Sequence, residues 1–127
     1  MSGVLVIAEA RRGVLREVTL ESIAAGSAVK GDAGGHLAVL IVDPDPARFV
    51  ESITVAGVDE ILLARSREEF DPSVMKAYAE VAVDELQPSL ILAGHTVNSL
   101  GFAAALAASL KAGFASDVYD LEWDGGP

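Results

Sequence analysis

The chain contains no cysteine, and that single absence excludes disulfide bridges, thiolate metal ligands and thiol nucleophiles together. Histidine is nearly as scarce. Only His36 and His95 supply an imidazole, far apart and with no His-Glu cluster at ligand spacing, so no metal site is expected. Basic residues are few: Lys and Arg total 9 against 19 Asp and Glu, for a formal net charge of −10. Such a surface has little to neutralise a phosphate backbone with, which argues against nucleic acid as a partner. Apolar runs stop well short of the ~20 residues that span a bilayer. Met1 to Ala8 has neither the length nor the basic start of a secretory signal. No membrane insertion is expected, and the expected location is cytoplasmic.

Two phosphate-binding patterns are missing as well. After Val4-Leu5-Val6-Ile7 the chain reads Glu9-Ala10-Arg11-Arg12-Gly13 where a dinucleotide fold would carry Gly-x-Gly-x-x-Gly, and no Lys-Ser or Lys-Thr pair of a P-loop occurs. Glu9 with Asp43 and Asp45 has the composition of a phosphorelay receiver's acidic pocket. A receiver needs an aspartate at the end of its third strand, and this chain has Leu63-Ala64-Arg65 there. His95 beside Thr96 lacks the orienting third group and the elbow motif of a nucleophilic site. No catalytic residue is assigned. Arg11, Arg12 and Arg16 form the one basic cluster and read as a solvated hairpin, with a partner-facing role open.

What remains is a well-punctuated chain of 127 residues, 51% hydrophobic and 22% charged, which is enough for one domain with a real core. Apolar runs recur at Val4–Ile7, Leu37–Val42, Glu60–Leu63, Ser89–Ala93 and Asp117–Leu121, and the first four read as strands. Three are nearly continuous rather than alternating, as in parallel strands covered on both faces. Asp71-Pro72 opens the best-marked helix, which Gln87-Pro88 stops. A second helix is read from Pro44 and Pro46 through Ile53 to Gly57, and a third from Asn98 or Ser99 through Leu110 to Gly113. A helix over Val18–Val29 is weakened by Gly26, whose cost relative to alanine is about 1 kcal/mol. Its small residues permit close approach to a sheet. Strand alternating with helix predicts an α/β, doubly wound, mostly parallel sheet.

In such sheets ligands sit beyond the carboxyl ends of the strands. Gly94, Thr96 and Asn98 follow the fourth strand and precede a helix, so they are candidate lining residues of a nucleotide crevice. The alternative is that Gly94 makes the turn while Asn98 or Ser99 caps the helix.

Val4-Leu5-Val6-Ile7-Ala8-Glu9 with Gly13, then Val18-Thr19-Leu20-Glu21, resembles the opening of electron transfer flavoprotein alpha subunits. Ala56-Gly57-Val58-Asp59, Pro88 before Leu90-Ile91-Leu92-Ala93-Gly94-His95-Thr96, and Leu106-Ala107-Ala108 leading to Ser116-Asp117-Val118 extend the resemblance over nearly the whole chain. It implies an adenine nucleotide alpha hydrolase-like, Rossmann-like α/β domain over residues 1–122, with 123–127 starting a linker to a further domain. It further implies a scaffold that pairs with the beta subunit, with FAD held mainly by a C-terminal domain and no cofactor in this chain alone. Dehydrogenases and a quinone reductase would be met as redox partners of the full assembly. Where that family carries basic residues in the last helix, this chain reads Ser99-Leu100-Gly101-Phe102-Ala103-Ala104-Ala105-Leu106, and an alanine cannot pair with an anion. The rival reading is a stand-alone nucleotide-binding module resembling the universal stress proteins, although the glycines after the fourth strand are too widely spaced for it.

Overall fold

The computed structural model describes residues 3–32, 35–94 and 96–115. Strands β1 (Val4–Ile7), β4 (Leu37–Asp43), β5 (Glu60–Arg65) and β6 (Leu90–Ala93) form one sheet in the order β5-β4-β1-β6, and all its pairings are parallel. Between β1 and β4 lie a short antiparallel hairpin, β2 (Ala10–Arg11) with β3 (Val14–Leu15), and helix α1 (Glu17–Val29). The four apolar runs read as strands are the four sheet strands. The run at Asp117–Leu121 and the expected linker lie outside the described residues.

β1 and β4 occupy the middle of the sheet, and every residue of both is buried. Because side chains alternate across a strand, one set faces each layer of helices. Val4, Val6, Leu37, Val39 and Ile41 pack with Ile23 of α1 and with Phe49 and Ile53. Leu5, Ile7, Leu40 and Val42 face the other way, onto Met75, Ala79 and Leu106. Each fully buried side chain of this size contributes about 1.5–3 kcal/mol, so the two faces together dominate the stability of the domain. The fold is thus α/β with helices on both faces of a parallel sheet, as the alternation of elements predicts.

Gly26 of α1 explains how that helix sits so close. A side chain there would press on Leu37, Val4 and Leu92 at 3.0–3.4 Å, so the residue that lowers helix propensity is the one that lets α1 approach three strands. Helix α3 (Pro72–Leu86) starts as its sequence signals: Asp71 accepts from the N–H groups of Ser73 and Val74, and Pro72 takes the first helical position. Gln87 ends it in the left-handed region at φ 49°.

Two expectations change. The segment after β4 is a single 3₁₀ turn, Pro46–Phe49, followed by one turn of helix, α2 (Val50–Ile53). Only Pro46, Phe49 and Ile53 are buried there, too few apolar anchors to hold a longer helix. The last helix is split into α4 (Val97–Leu100) and α5 (Ala103–Leu110). Phe102 leaves helical geometry at φ −137° between them, and buries its ring against Phe70 with centroids 6.3 Å apart. Aromatic burial outweighs continuity of the helix at that point. No helix among the described residues is long and apolar enough to cross a membrane.

Candidate functional site

The chain runs outward from β1 through β4 to β5 and then returns to lay β6 on the other side of β1. That reversal puts the switch point between the carboxyl ends of β1 and β6, the position where an open α/β sheet parts to admit a ligand. Ala8 and Glu9 leave β1 there, and Gly94 leaves β6.

Glu9 is fastened at every polar atom. Its N–H donates to Thr19 Oγ1 at 2.8 Å, and its carbonyl accepts from the Thr19 hydroxyl at 3.1 Å and from the Arg16 N–H at 2.8 Å. The carboxylate accepts from the Thr96 hydroxyl at 2.6 Å on one oxygen and from the Arg16 guanidinium at 3.4 Å on the other. Thr96 is also the N-cap of α4: its Oγ1 accepts from the Ser99 N–H at 3.1 Å while the Ser99 hydroxyl accepts from the Thr96 N–H at 3.0 Å. Glu9 and Thr96 therefore form a clasp across the switch point, tying the loop after β1 to the loop after β6.

Behind the clasp lies a crevice of about 10 Å³ lined in part by Glu9, Glu69, Phe70, Gly94, Asn98 and Phe102. That is about the space of one water molecule, against the hundreds of cubic ångströms of an ordinary ligand pocket. Two carboxylates on its wall oppose the charge of a phosphate. Among the described residues no buried side-chain donor or acceptor lacks a partner.

The three candidate lining residues therefore have separate fates. Gly94 and Asn98 do line the crevice, but a side chain at Gly94 would run into Val18 of α1. The glycine there accommodates a neighbouring helix rather than an approaching ligand. Thr96 does not line the crevice, and its hydroxyl is spent on Glu9 and on capping α4, so the cap is Thr96 and neither Asn98 nor Ser99. A Thr-x-x-Ser spacing before a helix was the available signal for that cap. His95 lies outside the described residues.

The acidic residues after β4 also separate. Asp43 is fully buried and accepts from the Arg48 guanidinium at 3.0 Å and 3.3 Å and from the Asp45 N–H at 2.8 Å. Arg48 in turn lies over the Phe49 ring, 4.9 Å from its centroid. Asp45 is exposed. This is a buried, paired carboxylate, and nothing in the sequence around Arg48 marked it as the partner. No group of three or more metal-ligating side chains gathers among the described residues.

The "Electron transfer flavoprotein domain" family model matches residues 4–126. The electron transfer flavoprotein subunit alpha of Methylophilus methylotrophus is 40% identical over 126 residues, covering 98% of this chain and 39% of that protein. The subunit alpha of Bacillus subtilis (strain 168) is 30% identical over 130 residues, with 97% and 38% covered. Protein FixB of Clostridium saccharobutylicum is 29% identical over 123 residues. The chain spans less than two-fifths of the length of these relatives.

Proposed function

Because the chain belongs to the electron transfer flavoprotein domain family, we propose that it acts as the N-terminal scaffold domain of an alpha subunit. In this reading it pairs with a beta subunit, and the assembly passes electrons through FAD to and from its redox partners. The observation that carries the reading is the family match over residues 4–126, which leaves almost no part of the described sheet outside it.

The crevice at the switch point offers FAD no cradle. It has room for about one water, and two carboxylates line it. The flavin is accordingly assigned to the greater part of the relatives' length that this chain does not cover. The same observations weigh against a stand-alone nucleotide-binding module. In the scaffold reading Glu9, Thr96 and Gly94 hold the sheet's open end rigid so that its surface keeps one shape for a partner.

Co-expression with an electron transfer flavoprotein beta subunit, followed by size-exclusion chromatography and a visible absorption spectrum of each peak, tests this. The expected result is a heterodimer without flavin absorbance. Failure of the two chains to co-elute would overturn the pairing, and a flavin spectrum from the pair would overturn the assignment of FAD to the uncovered part.

A further inference from the structure

β5 is the outermost strand on its side of the sheet, and among the described residues nothing pairs with its outer edge. The Asp59 N–H donates to the Leu37 carbonyl at 2.9 Å, which extends the ladder with β4 by one residue before the strand proper. Successive residues direct their N–H and C=O groups to opposite sides of a strand, so those of Glu60, Leu62 and Ala64 point away from β4, along the open edge. Such edges are ordinarily blunted by a proline, a bulge or a charge in mid-strand. β5 has none of these: Ile61-Leu62-Leu63-Ala64 is uncharged, and its register against β4 runs unbroken from Glu60 to Arg65.

The edge is also complementary to itself. Asp59, Ile61, Leu63 and Arg65 share one face of the sheet by alternation. Ile61 packs against the core on that face, whereas Leu63 is 47% exposed. Two copies of β5 set antiparallel about a two-fold axis at Leu62 bring Leu62 opposite Leu62, Ile61 opposite Leu63 and Asp59 opposite Arg65, with the members of each pair on the same face. The axis repeats the last two pairs, so apolar meets apolar twice and acid meets base twice, the cross-strand pairs that stabilise a sheet. Sliding the register by one pair sets Arg65 opposite Ile61 in one direction and Asp59 opposite Leu63 in the other, so a single register satisfies both. The charged groups are accessible: Asp59 and Arg65 are exposed. Asp59 accepts from the Leu37 N–H and the Lys30 ammonium on Oδ2 alone. Arg65 donates to the Pro44 carbonyl and, among the described residues, has no carboxylate within ion-pair distance.

We infer that β5 pairs antiparallel with β5 of a second copy of this chain, joining the two sheets into one across a two-fold axis. The occupant is a second copy because the strand and its flanking Asp59 supply both members of every pair, charged and apolar alike. The inference does not rest on the pairing with a beta subunit, and it is read on this chain alone.

Sedimentation equilibrium of the chain alone over a range of concentrations tests this, with Leu63→Lys and Arg65→Glu as variants and thermal unfolding of each. Both side chains are exposed, so the variants are expected to fold with melting temperatures near that of the parent. The parent is expected to dimerise. Leu63→Lys puts a charge in the middle of the edge, and Arg65→Glu sets a carboxylate against the partner's Asp59. Each is expected to raise the dimer dissociation constant ~10-fold or more. A parent that stays monomeric by itself, or associates only when a beta subunit is added, would overturn the inference. So would a dimer that either folded variant leaves equally tight, because it would then be held by another surface.

Discussion

Gly94 and Gly26 look alike as letters, two glycines near apolar runs, and the packing around them explains both. Gly26 admits α1 to the sheet, and Gly94 leaves space that Val18 fills. Replacing Gly94 by alanine therefore forces a methyl into an occupied volume, a strain of about 1–3 kcal/mol. A lower thermal midpoint for Gly94→Ala, partly restored by adding Val18→Ala, is the expected result. If the glycine served ligand access instead, the second substitution would restore nothing. The close approach at Gly26 was legible in the run of small residues Ala24, Ala25, Gly26 and Ala28. The contact at Gly94 was not, because Val18 lies 76 positions earlier in a different element. Arg48 is the same case with charge: its pairing with buried Asp43 depends on a turn of backbone that no local pattern specifies.

Helix caps differ in how far they reach. Asp71 binds only the amides of its own helix, at 2.9 and 3.3 Å, and its cap was readable from Asp-Pro. Thr96 caps the four-residue α4 and also donates to Glu9 across the sheet. Asp71→Ala is expected to cost about 1 kcal/mol, the usual worth of a cap. Thr96→Val removes the cap and also a charge-assisted bond, so about 2 kcal/mol or more is expected from denaturant titration. Comparable costs would show that the Glu9 contact contributes nothing. The split between α4 and α5 falls at Gly101 and Phe102, and it was hidden because the burial of the Phe102 ring depends on distant packing that no local pattern specifies.

For the molecule as a whole, the acidic excess governs response to pH. The Leu37 N–H donating to Asp59, with the Lys30 ammonium beside it, holds the Asp59 carboxyl below its ordinary range. The Ser109 hydroxyl and then the Lys76 ammonium do the same for Glu80. A carboxyl whose folded pKa lies below its unfolded one stabilises the fold above the ordinary carboxylate range, near about 4, and loses that contribution as pH falls through the folded value. Urea midpoints should be level near neutrality and drop through that acid range, with Asp59→Asn shallower than the parent; an equally steep drop in Asp59→Asn would remove Asp59 from the account. Local pattern was sufficient for the strand segments, for α1 and α3 and for the α/β class, since continuous apolar runs and an Asp-Pro cap act within a few residues of themselves. The placement of β6 beside β1, the Glu9–Thr96 clasp and the narrow crevice behind it were decided by the tertiary structure. Glu9 and Thr96 are 87 residues apart, and only the packing of both helix layers onto one sheet brings them within a hydrogen bond.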